Sequence, residues 1–205
     1  MSQAPSPSPH LVPVITLAEV PALTRELAQR VRAAGFRPDL LVYIETGARL
    51  VAWELCREFG VSGLPAQARR RGHGLKRRLA FVTARLPAAV TSALRKLEER
   101  SGVHRRTRRA VEFCATCELR GRAILLVDDA ADTGGTIAAV REELVRQGAD
   151  PALIRSAVLT ATTAEARAAV DFYVRERNSR LPWSSDSPER EAALARFERC
   201  RPAAP

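Results

Sequence analysis

The sequence predicts an α/β protein built around a parallel sheet. Short apolar runs without polar alternation, amphipathic helical segments between them, and polar or Gly-rich turns after the runs all support this prediction. Such runs suit strands buried on both faces, and strands that alternate with helices favour right-handed βαβ units. A chain of 205 residues can bury one sizeable core, so we predict a single domain over 14–200.

The first part of the chain is predicted to form a helix, a strand, a second helix and a second strand. Residues 1–13 are rich in Pro and Ser and have little to bury, so they are predicted to be a disordered lead. Thr16 and Glu19 form a capping-box pattern ahead of apolar residues at helical spacing. The predicted elements are a helix over 17–34, a strand over 39–44, a turn over 45–48, a helix over 50–59 and a strand over 64–68.

A basic segment over 69–109 follows. It holds 14 basic residues against two acidic ones, a net charge of +12, although the whole chain carries only +10. We predict that it is an insertion with a helix over 87–100. A solvated basic face is one explanation and nucleic-acid binding is another, but Phe81 is its only aromatic residue, so recognition of bases by stacking is poorly supported.

The second part of the chain repeats the strand and helix pattern around an acidic, Gly-rich turn. Residues 123–127 read AILLV, a continuous apolar strand, and the turn follows at once. A helix over 136–147 that ends at Gly148 and a strand over 154–160 are predicted next. Because ligands of such sheets bind beyond the carboxyl ends of the strands, the turn is the predicted binding site.

The turn combines groups that suit two ends of one ligand. Small glycines and hydroxyls at the start of a helix can hold a phosphate, and they are supplied by Thr133, Gly134, Gly135 and Thr136. Asp128 and Asp129 would repel a phosphate, but they suit vicinal hydroxyls or a Mg²⁺ ion. A phosphorylated sugar has both kinds of group.

The string VDDAADTGGT over 127–136 resembles the phosphoribosyl diphosphate signature of the type I phosphoribosyltransferases. Residues 15–60 are similar to the front half of the xanthine-guanine branch of that family. The resemblance implies a Rossmann-like parallel-sheet fold with a small hood over 164–190 and a tail over 201–205. It also implies transfer of a phosphoribosyl group from 5-phosphoribosyl 1-diphosphate (PRPP) to a purine-like nucleobase, with release of pyrophosphate.

The same resemblance implies a role for each residue of the signature. Asp128 and Asp129 would hold the ribose 2′ and 3′ hydroxyls, Asp129 would also bind Mg²⁺, and residues 133–136 would hold the 5′-phosphate. Asp132 would lie near the purine nitrogens as a general base; its alternative role is to cap the following helix.

The turn over 45–48 is similar to the family's pyrophosphate-binding turn, with Thr46 and Gly47 as the expected backbone donors. A basic or small residue usually stands where Glu45 and Thr46 do. Neutralisation of the diphosphate is therefore expected from Arg49 or from the segment 69–109, which occupies the interval of the family's mobile lid.

The acceptor is less clearly marked in the sequence. Phe172, Tyr173 and Trp183 resemble the hood aromatics that stack on a flat base, or they fill a small C-terminal core. The lysine that purine enzymes of the family place after the strand ending near residue 160 is absent, because Ala161, Thr162 and Thr163 stand there. A non-nucleobase acceptor is therefore an alternative.

Two other functions stay open at this point: a PRPP-sensing regulator that binds RNA or DNA, and a non-catalytic relative. No signal peptide or long apolar run is present, so a cytoplasmic protein without a membrane segment is expected. The resemblance implies a homodimer or homotetramer. Cys114 and Cys117 form a single CxxC, which is half of a zinc site, a redox pair or a pair of plain thiols.

Overall fold

A computed structural model of the chain describes residues 12–45, 47–70, 109–113 and 117–205. Its centre is one six-stranded sheet with the order β3-β2-β1-β4-β5-β6. The strands are β1 (Leu40–Ile44), β2 (Ser62–Arg70), β3 (Arg109–Phe113), β4 (Ile124–Ala131), β5 (Ile154–Ala161) and β6 (Phe172–Arg175). All neighbouring strands are parallel except β2 and β3, so the predicted parallel sheet is confirmed.

Helices cover both faces of the sheet. They are α1 (Val20–Ala33), α2 (Arg49–Phe59), α3 (Gly135–Arg146), α4 (Ala164–Ala169) and α5 (Arg190–Arg199), with a short 3₁₀ helix over Pro151–Leu153. One face packs against α1, α2 and α5, and the other against α3 and α4. Successive strand residues alternate between the two cores, which explains why β1 and residues 124–127 of β4 are apolar at every position.

Helix α1 begins three residues later than the capping-box pattern predicts. The Glu19 carboxylate accepts hydrogen bonds of 2.8 Å from both the backbone N–H and the hydroxyl of Thr16, which closes a separate turn before the helix. Glu19 is thus the N-cap, and Pro21 lies in the first turn, where its missing N–H costs nothing.

Strand β4 is longer than predicted, and its extra residues include Asp128 and Asp129. Its pairing with β1 ends at Val127, whereas its pairing with β5 continues to Ala131. Pairing along one edge holds these carboxylates in a strand although aspartate is disfavoured there. The opposite edge is left open beside the turn that follows β1.

The sequence did not predict β3. It pairs antiparallel with β2, and in their register Arg70 lies opposite Arg109. The predicted basic insertion thus leaves and rejoins the sheet at one place, next to the carboxyl end of β2. The predicted helix over 87–100 and the lid lie outside the described residues.

The C-terminal part adds to the main sheet. Of the predicted hood over 164–190, residues 164–175 form α4 and the edge strand β6, which pairs with β5. The later part pairs with the start of the described chain, since Ile15 donates to the Arg180 carbonyl at 2.9 Å and Arg180 to the Pro13 carbonyl at 2.7 Å. The end of the chain returns to β2, where the Gly63 N–H donates to the carbonyl of Ala203 at 2.8 Å.

No helix within the described ranges has the length and apolar character needed to cross a membrane.

Deleting residues 201–205 is expected to lower the free energy of unfolding by about 1–2 kcal/mol, because Gly63 loses its hydrogen-bond acceptor. Urea unfolding of the full chain and the truncated chain measures the difference. Deletion of residues 204–205 alone is the matched control, since it leaves Ala203 in place. Equal stability of the two truncated chains would contradict a docked tail.

Candidate functional site

Two adjacent carboxylates lie at the carboxyl end of β4. Asp128 is 7% exposed, and its Oδ1 accepts the backbone N–H of Asp129 at 2.9 Å. The Oδ1 of Asp129 accepts the N–H of Ala130 at 2.8 Å in the same way. As strand neighbours they point to opposite faces, so they present two separate acceptor groups at one edge of the sheet.

Asp129 lies directly against the turn after β1. A Cβ placed on Gly47 would be 2.0 Å from Oδ2 of Asp129, a distance that no real contact allows. Only glycine lets the turn and the carboxylate approach so closely. Strands β1 and β4 are also the neighbours whose connections leave toward opposite edges of the sheet, which is where ligands of open α/β sheets bind.

The second oxygen of Asp129 is held from the C-terminal part of the chain. The indole Nε1–H of Trp183 donates to Asp129 Oδ2 at 2.5 Å. Trp183 is 9% exposed, and its ring packs against Phe197 of α5 with 5.5 Å between the ring centroids. Three separate parts of the chain therefore meet at this carboxylate.

The amino end of α3 faces the same edge of the sheet. Its N-cap is Gly134, whose φ of 71° lies in the left-handed region, and a Cβ there would be 2.4 Å from the Cβ of Ala169. Thr133 accepts a long hydrogen bond of 3.4 Å from the N–H of Gly135, and Thr136 lies in the first turn. The first N–H groups of a helix lack partners inside the helix and suit an anion.

Asp132 lies between these two parts of the site and is exposed. Its Oδ1 accepts the hydroxyl of Thr162 at 2.7 Å, and its backbone carbonyl accepts the hydroxyl of Thr163 at 2.5 Å. It makes no capping hydrogen bond to α3, so the alternative role as a helix cap is not observed. No local sequence pattern predicts these contacts, because both threonines lie far from Asp132 along the chain.

The three predicted aromatics do not form one stacking surface. Phe172 and Tyr173 are neighbours in β6, so strand alternation directs them to opposite faces, each half-buried against a different core. Trp183 is buried and uses its polar N–H on Asp129, as buried tryptophans usually do with a polar partner. Stacking of any one of these residues on an acceptor stays a prediction.

Arg49 is already paired within the turn. Its guanidinium donates to Oε1 of Glu45 at 2.6 Å and lies 3.9 Å from a carboxylate oxygen of Glu198. Gln67 donates to the other oxygen of Glu45 at 3.0 Å. The carboxylates of Glu45 and Glu198 offset the charge of Arg49. Thr46, the other predicted pyrophosphate-binding residue, lies outside the described residues.

Among the described cysteines, Cys56 and Cys117 lack the character of reactive thiols. Burial raises the pKa of Cys56 to about 12 and also raises the pKa of Cys117, so both thiols stay protonated at neutral pH. Cys114 lies outside the described residues, and Cys117 packs at the edge of the core.

Comparison with known proteins identifies the family. The profile of the phosphoribosyl transferase domain matches residues 16–189, most of the chain. The chain belongs to the phosphoribosyltransferase family. The predicted resemblance is confirmed, and with it the type I fold and the assignment as a phosphoribosyltransferase enzyme. No curated protein sequence matches the chain significantly.

Several solved structures are similar in fold. A purine phosphoribosyltransferase from Pyrococcus horikoshii has 18% identity and a TM-score of 0.54, with 82% of this chain and 89% of that chain covered. The xanthine-guanine-hypoxanthine phosphoribosyltransferase of Helicobacter pylori has 16% identity and a TM-score of 0.58, with 88% and 96% covered. A hypothetical protein from Neisseria gonorrhoeae with bound ppGpp has 18% identity and a TM-score of 0.55, with 94% and 99% covered.

The G47A substitution is expected to lower the free energy of unfolding by about 1–3 kcal/mol, because its Cβ would overlap the Asp129 carboxylate. The backbone at Gly47 has no positive φ, so the overlap alone carries the cost. Urea unfolding measures the loss in the wild-type and D129A backgrounds. The loss should shrink when Asp129 is absent, and an equal loss in both backgrounds would show that the two groups do not touch.

Proposed function

We propose that this phosphoribosyltransferase transfers the 5-phosphoribosyl group of PRPP to a purine base and releases pyrophosphate. The observation that carries the proposal is the contact between the acidic end of β4 and the turn at Gly47, at the edge of the sheet from which α3 also begins. This arrangement matches a ligand that carries hydroxyls in its middle and phosphates at both ends.

Each part of the donor has a matching part of the site. The 5′-phosphate would bind at the amino end of α3, where Thr133, Gly134, Gly135 and Thr136 offer backbone N–H groups and hydroxyls. The ribose hydroxyls would donate to Asp128 and Asp129, which are the two adjacent carboxylates of the signature. Gly47, in contact with Asp129, would then face the diphosphate on C1, together with Thr46.

The acidic residues also suit a magnesium ion. Within the described parts of the chain, no three His, Cys, Asp or Glu side chains gather into a metal site. Mg²⁺ commonly binds one or two carboxylates and completes its coordination with water and substrate phosphates, which fits this sparse set. Asp129 would hold the ion, and the ion would supply charge neutralisation for the departing diphosphate.

The reaction would proceed at C1 of the ribose. A nitrogen of the acceptor forms a bond to C1 while the bond from C1 to the diphosphate oxygen breaks, and positive charge develops on the ring. Asp132 would take the proton from that nitrogen, and Thr162 would keep its carboxylate oriented toward the acceptor. Fixed geometry and electrostatics supply the catalysis.

A purine acceptor is favoured by two observations. Asp132 is exposed beside the donor site, where a general base for a base nitrogen is needed. The solved structures of similar fold include a purine and a xanthine-guanine-hypoxanthine phosphoribosyltransferase. The described residues favour neither a nucleic-acid-binding regulator nor a non-nucleobase acceptor. We also propose that the protein forms a homodimer or homotetramer and is located in the cytoplasm.

Pyrophosphate release tests the proposal directly. We expect wild-type protein with Mg²⁺ and PRPP to release pyrophosphate with hypoxanthine, guanine or xanthine, and not with pyrimidines or amino sugars. The D128N/D129N double variant should lose the activity, because it loses both carboxylates proposed to bind the ribose. Absence of release with every purine would refute the proposed reaction.

The D132N variant is expected to lower kcat about 100-fold with little change in the KM for PRPP, because it removes the general base and not a donor contact. Steady-state kinetics with the active purine measures both constants. D150N is the matched control, since Asp150 lies at the opposite end of β5 and should leave both constants unchanged. An equal kcat for D132N and D150N would exclude Asp132 as the base.

A further inference from the structure

The carboxylate of Asp129 is held in place by hydrogen bonds from two protein donors. Its Oδ1 accepts from the Ala130 N–H at 2.8 Å, its Oδ2 accepts from the Trp183 Nε1–H at 2.5 Å, and Gly47 lies against it. The Ala130 donor belongs to the same strand and comes with the backbone conformation. The Trp183 donor comes from 54 residues away and is therefore a separate tertiary contact.

We propose that Trp183 is a positioning residue of the donor site, and this proposal rests on the proposed function. Its indole orients Asp129 so that the remaining acceptor positions of the carboxylate face the ribose hydroxyls and the proposed Mg²⁺ position. An indole N–H only donates, so Trp183 occupies one acceptor position of Asp129 and cannot itself accept a hydrogen bond from the ribose hydroxyls. A carboxylate has room for about four hydrogen bonds, and the two protein donors leave about two for the ligand.

The position of the indole is itself fixed. Trp183 is 9% exposed, and its ring packs at 5.5 Å from Phe197 of α5, so the N–H has little freedom to turn away from Asp129. Helix α5 packs on the same face of the sheet as α2, which follows the Gly47 turn. The C-terminal residues 181–200 thereby support the donor site without contacting the donor.

A purely structural role would give different results, because a core tryptophan stabilises the fold without acting through Asp129. The substitution W183F keeps most of the ring and removes the N–H. Trp53 provides a matched control, since it is the only other tryptophan and stacks with Arg57 at 4.8 Å on the surface of α2. The W53F variant makes the same chemical change away from the site.

Calorimetric titration of PRPP with Mg²⁺ tests the proposal on the wild type, W183F, W53F, D129A and the W183F/D129A double variant. W183F should bind PRPP about tenfold more weakly, because a carboxylate that is free to rotate must be ordered on binding, at a cost of about 1.4 kcal/mol. W53F should bind like the wild type. In the D129A background, W183F should cause no further loss, because Trp183 acts through Asp129.

Fluorescence gives a second readout in folded protein that keeps Trp183. In W53F, Trp183 is the sole tryptophan, and PRPP should change its emission because the hydroxyls bind the same carboxylate. Wild-type affinity in W183F, an undiminished loss in the D129A background, or unchanged Trp183 emission at PRPP saturation would overturn the proposal. Wild-type protein that binds no PRPP would instead refute the proposed function and this proposal together.

Discussion

The close contact between Gly47 and Asp129 is the constraint on which the site depends. Strand β1 stops pairing with β4 at Val127, so the turn after β1 and the last residues of β4 face each other across an open edge. A side chain at position 47 would collide with the carboxylate, and only its absence lets these two parts of the chain meet. The proposed pyrophosphate and ribose positions are neighbours for this reason, and the topology of the sheet places both at its carboxyl edge.

Charge is divided across the site in a way that suits a donor with two phosphate ends. Asp128 and Asp129 make the middle acidic, while the amino end of α3 offers N–H groups and a favourable dipole to one phosphate. Arg49 is less available to the other phosphate, because the guanidinium of Arg49 is already paired with the Glu45 carboxylate at 2.6 Å. The large positive charge of the chain belongs instead to the segment 69–109, whose ends pair with each other at the same edge of the sheet.

The sequence predicted the parts of the fold that have a local signal. Strand β1 and the first half of β4 are continuous apolar runs, and the signature over 127–136 predicts the donor site. Strand β3 was missed because its sequence, RAVEF, lies among arginines and is stabilised by antiparallel pairing with β2. The partner of Trp183 could not be predicted either, since no local pattern reports a hydrogen bond to a residue 54 positions away. The contact between Thr162 and Asp132 joins two strand ends, and it could not be predicted from the sequence for the same reason.

The proposed donor site is assembled from three distant segments around one carboxylate, with the acceptor base expected beside Asp132. A crystal structure of the complex with PRPP and Mg²⁺ tests it most directly. We predict the 5′-phosphate at the amino end of α3, the ribose hydroxyls on Asp128 and Asp129, and the diphosphate beside Gly47. A donor bound elsewhere, or one whose diphosphate lies at the amino end of α3, would contradict the account.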